Sequence, residues 1–404
     1  MSKLQRLRDN IAAIECALTG KGDAEVLAKY TGFGGMNFML NPTGDKSAWS
    51  KSDQPYYDDA VRMLQMLVKA AGNGNKFDAW MQSLKASVLT AYYTPEVLVN
   101  GLFSAFKNTG KGCRFTTMLD PAAGNGAFMC GYFVKAPRNG LNAVAYEKDL
   151  LTGLILSAGA GKWQDIRVAG FETIPAEEMG KYDLVATNVP FGDIAVFDPE
   201  YSRSKSAVRR EAAKMIHRYY VLKGLDCLRD GGIEAYIITS NYLNRDGEQL
   251  AEALRQARLI GAYRLANNLF KESGTEVGTD LLVLQKDSRK EGLTAEESWL
   301  LTQYEDSGCP TNMYFDMKPE HVIATDWTVD TDAYGKRALV YYHRDGVAGI
   351  SKQMAEVLSE DLAANFDGEL FRSEELRVKN LLPPRRKPRA RSRSGSIPGR
   401  ATCR

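Results

Sequence analysis

No two of the six cysteines (Cys16, Cys113, Cys130, Cys227, Cys309 and Cys403) form a CxxC pair. Their scatter argues against a zinc site and against a disulfide framework, and it fits a reducing cytoplasm. No stretch of 18 apolar residues occurs, so no membrane-spanning helix is expected. The N-terminus, MSKLQRLRDN, lacks the apolar core of a signal peptide. No internal repeat is present, which sets repeat architectures aside. Acidic residues are missing from Arg385 to Arg404, where eight Lys or Arg stand. The rest of the chain holds 44 basic and 50 acidic residues, a net of −6, although the whole chain is +2. The folded part is therefore mildly acidic, and nucleic-acid binding would have to rest on local patches.

What remains is a chain of 404 residues with 44% hydrophobic side chains, enough for a large core. Residues 1 to about 90 read as a helical region. LQRLRDNIAAIECAL and DDAVRMLQMLVKAAG carry apolar residues three and four apart, and the glycine-rich YTGFGGMNFMLNPTGD lies between them. From about 113 to 290 the runs FTTMLD, NAVAYE, IRVAG, YDLVATN, IEAYIITS, IGAYRLA and TDLLVLQK alternate with amphipathic helices. That alternation predicts βαβ units and an α/β domain, 91–290, whose parallel sheet is covered on both faces. Residues 291–380 read as a small mixed region. The Pro-, Arg- and Ser-rich segment 381–404 reads as a disordered basic tail.

In FTTMLDPAAGNGAFMCGYF a strand ends at Asp120, and Pro121, Gly124, Gly126 and Phe128 lead into a helix. Glycine lets backbone approach a ligand where a Cβ would block it, although a tight strand-to-helix turn asks for the same residues. The pattern is GxGxF rather than GxGxxG, and an acid precedes it, so a pyrophosphate would be poorly served. The next strand ends in Glu147, where an acid can take both hydroxyls of a ribose. Together these residues suit a nucleoside carrying a cationic group, such as S-adenosylmethionine.

The strand YDLVATN ends on Asn188, and Val189, Pro190, Phe191 and Gly192 follow. In an open α/β sheet this corner lies on the same rim as Asp120 and Glu147. An amide oxygen and a backbone carbonyl can each accept one N–H of a planar exocyclic amine, and an aromatic face can stack on its ring. Taken alone, the corner also fits a buried loop with Phe191 as core filler. In sequence with the glycine loop and Glu147, it reads as an acceptor pocket. The chemistry needs only a carbonyl at position 189, so proline is expected to be tolerated there. No metal is required.

These residues resemble a known family. DPAAGNGAF is similar to the DPxxGxGxF cofactor motif of amino-methyltransferases, and TNVPFGD to their Asn/Asp-Pro-Pro-Phe/Tyr catalytic motif. AYYTPEVLVNGLF resembles the segment that precedes the cofactor loop in S-adenosylmethionine-dependent DNA adenine-N6 methyltransferases. LRDGGIEAYIITSNYL and RLANNLFKESGTEVGTDLLVLQK resemble later strands of that fold. AKYTGFGGM resembles the N-terminal part of large methylase–helicase proteins of phages and conjugative elements. The likeness covers about residues 25–290, and more loosely reaches 345.

The family implies a Rossmann-like seven-stranded mixed sheet with helices on both faces and an antiparallel last strand. It implies that Asp120, Pro121, Gly124, Gly126, Phe128, Glu147 and Phe171 hold S-adenosylmethionine, with Thr94 and Pro95 capping a helix that touches it. It implies that Asn188, Val189, Pro190 and Phe191 form the adenine pocket. Three departures stand out: Val189 replaces a proline, RVAGFET lacks the aspartate common after its glycine, and no clear target-recognition domain follows residue 290. The chain reads as a piece of a larger protein, partnered by DNA and by a separate recognition or helicase region.

Beyond the corner, Arg203, Lys205, Arg209, Arg210 and Lys214 crowd a loop and helix start, and this can be a phosphate-binding patch or a solvated helix face. His217 reads as structural. The expected activity is methyl transfer to the exocyclic N6 of a flipped adenine in DNA. The alternatives are a methyltransferase of a protein glutamine amide and a catalytically degenerate binding module.

Overall fold

The computed structural model describes residues 2–373 apart from 21, 41–43, 110–113, 136–140, 274 and 333–334. The basic tail lies outside the described residues.

Seven strands carry the main sheet: β1 Thr117–Asp120, β2 Asn142–Tyr146, β3 Gln164–Arg167, β4 Tyr182–Asn188, β5 Leu228–Thr239, β6 Ala257–Leu265 and β7 Thr279–Lys286. Two hairpins follow in the chain, β8 Gln303–Asp306 with β9 Cys309–Asn312, and β11 Asp326–Thr331 with β12 Arg337–Tyr342. Between them β10, Val322–Ile323, joins the main sheet beside β6. The sheet therefore has eight strands rather than the expected seven, in the order β10-β6-β7-β5-β4-β1-β2-β3. All neighbours are parallel except β7, which runs antiparallel to both β5 and β6. The sequence runs YDLVATN and TDLLVLQK coincide with β4 and β7, while β3 ends at Arg167, before the expected glycine.

Side chains alternate across the sheet and build one core on each face. Met118, Leu184 and Ala186 join the helices Glu96–Ala105, Ala127–Lys135 and Gly346–Asn365 on one side. Leu119, Val185 and Tyr236 join the helices Ile216–Cys227 and Gly247–Leu254 on the other. Central strands are buried on both faces, which is why β4 and β7 carry the unbroken apolar centres Leu184–Ala186 and Leu281–Leu284. A third core joins the N-terminal helices Lys3–Thr19, Tyr57–Ala71 and Gly74–Thr90 to Leu151 and Ile155 of the helix Leu150–Gly159.

The amino ends of β1 and β4 are pinned by Asp183. Its carboxylate accepts from the amides of Thr116 (2.6 Å) and Thr117 (3.0 Å) and pairs with the buried Arg229 (2.6 Å). The carboxyl ends carry the longer connections, and the main cavity opens there.

Candidate active site

A cavity of about 620 Å³ lies over the carboxyl ends of β1, β2 and β4. Of the residues singled out from the sequence, Thr94, Pro121, Gly124, Phe128, Glu147, Phe171, Asn188, Val189, Pro190 and Phe191 line it. Pro95, Asp120 and Gly126 stand behind its wall.

Gly124 and Gly126 have φ of 54° and 83°, where a side chain is strained. Space adds a second reason at Gly124: a Cβ there would lie 2.8 Å from the Tyr93 ring. The close approach that requires glycine is thus to an aromatic side chain of the protein itself. Glu147 fastens the loop, one carboxylate oxygen accepting from the Gly124 amide and the other from the Asp149 amide, both at 2.7 Å. Burial, reinforced by the nearby Asp149, pushes Glu147 up to about 8. Asp120 is fully buried and acts one layer further in. Its Oδ1 accepts from the Thr187 hydroxyl (2.7 Å) and the Ala122 amide (3.3 Å), tying the end of β1 to β4. Burial raises it to about 7, against the opposing pull of those two hydrogen bonds.

At the corner, the Asn188 Nδ2 donates to the Tyr92 carbonyl at 3.0 Å. That bond fixes the amide orientation, because the opposite rotamer would set two oxygens against each other. Asn188 Oδ1 is left without a hydrogen-bond partner. The Val189 amide donates to the Ile237 carbonyl at 2.9 Å, and no described backbone amide donates to the Val189 carbonyl. The carbonyl is available, as the sequence reading requires, but the amide is in use, so proline is not the neutral replacement expected there. Phe191 is only 5% exposed. Its ring meets Phe270 edge-on at 5.5 Å and lies nearly parallel to Tyr92 at 6.3 Å. Tyr92, which is half-buried and also lines the cavity, presents the more open aromatic face. His217 lies behind Phe191, with ring centroids 6.5 Å apart. Burial lowers it to about 4, so it is neutral at pH 7.

The remaining wall comes from the N-terminal region. Ser83 and Ser87 of the helix Gly74–Thr90 face the cavity, as do Tyr92 and Tyr93. Tyr93 is wedged in place. Its hydroxyl bonds Thr152 at 2.9 Å, and its ring fills the space that Cβ atoms on Gly32 (2.6 Å) and Gly124 (2.8 Å) would need. The glycine-rich YTGFGG segment is therefore a packed turn. Pro95 is the N-cap of the helix Glu96–Ala105, but no side chain caps that helix, and the Thr94 hydroxyl is unpartnered. The expected capping role of Thr94 gives way to a hydroxyl lining the cavity.

Four buried oxygens on this wall have no hydrogen-bond partner: Ser87 Oγ, Thr94 Oγ1, Asp149 Oδ2 and Asn188 Oδ1. Buried polar atoms are normally satisfied, so this many on one cavity wall mark a ligand site. Ser87, Tyr92, Tyr93 and Asp149 were missed in the sequence. Tyr92 and Tyr93 precede Thr94 directly, and Asp149 follows Glu147 by two residues.

None of the five predicted DNA-contacting cations lines the cavity. Arg209 is committed to Asp226 through two bonds of 2.5 and 2.7 Å, with its guanidinium over the Tyr201 ring. Arg210 donates to the carbonyls of Ser204 and Lys205, and Lys214 pairs with Glu211 at 2.6 Å. Arg203 and Lys205 are exposed. Among the described residues, no group of three His, Cys, Asp or Glu could hold a metal ion, and no helix is long and apolar enough to cross a membrane.

No protein-family model and no curated protein matches the chain. Among solved structures, it is similar to a type I restriction-modification system methyltransferase subunit from Streptococcus thermophilus, at 16% identity and a TM-score of 0.43, over 77% of this chain and 73% of that one. A Listeria monocytogenes protein provisionally described as a class I S-adenosylmethionine-dependent methyltransferase is similar at 12% identity and a TM-score of 0.43, over 72% and 91%. Likeness this distant decides nothing about chemistry, which rests on the cavity itself.

Proposed function

We propose that the chain transfers a methyl group from S-adenosylmethionine to the exocyclic N6 of an adenine extruded from DNA. The observation that carries this reading is Asn188: an amide oriented by the Tyr92 carbonyl, with its oxygen unpartnered, on the wall of the cavity that holds the Glu147-fastened glycine loop.

The cavity suits the cofactor. Glu147 would accept from ribose hydroxyls through the lone pairs that the Gly124 and Asp149 amides leave free, and the unpartnered oxygens of Ser87, Thr94 and Asp149 would receive N–H donors. Phe128 and Phe171 give apolar wall. S-adenosylmethionine supplies a methyl group on a cationic sulfur. Asn188 Oδ1 and the Val189 carbonyl each accept one N–H of the target amine, drawing the nitrogen out of conjugation and freeing its lone pair. Tyr92 and Phe191 offer aromatic faces to the base, and Pro190 stiffens the corner. Much of the rate then comes from holding the amine in line with the methyl group. The amine proton leaves after transfer, so the neutral, buried His217 is not needed as a base. Arg203 and Lys205 would meet phosphates, and a separate recognition or helicase region would choose the sequence.

The same acceptor pair would hold a glutamine side-chain amide, and the exposed Arg203 and Lys205 favour DNA over that reading. The test is calorimetry with S-adenosylhomocysteine, followed by transfer of labelled methyl groups to duplex DNA and to protein. The expected product is N6-methyladenine in DNA. Cofactor binding with no transfer to any DNA would sink the reading.

A further inference from the structure

A second cavity, of about 40 Å³, opens at the carboxyl ends of β5 and β6, where the β11–β12 hairpin closes over the sheet. At roughly 10–15 Å³ per water it has room for about three waters, the scale of one tetrahedral anion. Four cations line it: Arg245, Arg264, Lys336 and Arg337. Arg264 is neutralised by Asp280 through two bonds of 3.0 Å and rests on the Phe315 ring. The other three are exposed and have no ion-pair partner among the described residues. They come from different segments, Arg245 from the end of the helix Ser240–Arg245 and the other two from the hairpin. The one acid on the wall is Asp332, whose Oδ1 accepts from the Lys336 amide at 2.8 Å. Unpaired like charges gathered around one small hollow repel one another unless an anion sits among them. The wall also holds Thr279, whose buried hydroxyl has no hydrogen-bond partner.

Position adds to this. Asn188 is level with Ile237 on β5, and Thr279 is level with Thr239, two residues further along. Two strand residues span roughly 7 Å and the two interstrand spacings from β4 to β7 roughly 10 Å, so the two places lie roughly 12 Å apart and one nucleic-acid strand laid along the rim can reach both.

We propose that this cavity binds a phosphate of the nucleic-acid strand whose adenine enters the Asn188 corner. The choice of nucleic acid rests on the methyl-transfer reading, whereas the anion site rests on the cations alone. The test is the pair of substitutions Arg245→Ala and Arg337→Ala in the full chain, with duplex DNA binding followed by fluorescence anisotropy across a salt series. Affinity is expected to fall about tenfold, and the slope of log affinity against log salt to become shallower by about one to two. S-adenosylhomocysteine affinity and Tm should not change, and Arg245→Lys with Arg337→Lys should restore the slope. Unchanged affinity and slope would overturn the proposal. So would a site that takes millimolar inorganic phosphate, loses it in the double variant, and leaves DNA affinity intact. If the double variant loses DNA affinity but the parent chain methylates no DNA, the phosphate site stands and the methyl-transfer reading falls. If the double variant binds and methylates DNA as the parent does, the reverse holds.

Discussion

Glu147 accepts the Gly124 amide proton at 2.7 Å, so the acid at the end of β2 and the glycine loop after β1 form one rigid unit. The price of that latch is a buried carboxylate. Its folded value of about 8 lies above the ordinary 4.5, so the folded chain holds this proton more tightly than the unfolded chain does. The stability it contributes is fully present below pH 4.5 and is lost as pH rises to 8. Glu147→Gln cannot accept from both the Gly124 and Asp149 amides, so a constant offset is expected. On top of it, the Tm difference, variant minus parent, should climb between pH 5 and 8 and then level off. Thermal unfolding at a series of pH values checks this, and a difference that stays flat with pH would refute it.

Asn188→Ala should lower methyl transfer by about 10²–10³-fold, the usual cost of removing a preorganised polar group at the reacting atom. Its affinity for S-adenosylhomocysteine, measured by calorimetry, should stay within a few fold. A collapse of that affinity would move Asn188 from the acceptor pocket to the cofactor site.

Val189→Pro tests the corner's backbone. The Val189 amide donates to the Ile237 carbonyl at 2.9 Å, and proline removes that donor. The buried carbonyl left behind costs about 1–3 kcal/mol, seen as a lower denaturant midpoint. An unchanged midpoint would mean that the β4–β5 ladder does not extend to this residue.

Gly32→Ala and Gly124→Ala each drive a methyl group into the Tyr93 ring at a positive φ. Overpacking of this kind costs about 1–3 kcal/mol, and the backbone conformation adds about 1–2. Because both clash with one ring, the double variant should lose less than the two single losses combined. Additive losses in chemical denaturation would show that the two glycines act independently.

Much of this was legible in the sequence because burial on two faces leaves a plain signal. β4 and β7 are covered above and below, so YDLVATN and TDLLVLQK have unbroken apolar centres between polar residues and their ends could be read. β10 is two residues long and draws its stability from β6, so no pattern marks it. Asn188 and Glu147 could be found because strand ends in this topology face one rim. Tyr93 could not, since what it does depends on Gly32, Gly124 and Thr152, brought together only by folding. Arg209 looked like its basic neighbours until Asp226, distant in the chain, was seen to hold it.

The wedge at Tyr93 also bears on how sequence change can be tolerated. Both glycines also sit at positive φ, so a smaller residue at 93 would not free positions 32 and 124 to change; it would only open a gap beneath the glycine loop. Positions 32, 93 and 124 should therefore stay fixed as a set in descendants of this chain, with the helical N-terminal region and the α/β sheet evolving as one unit.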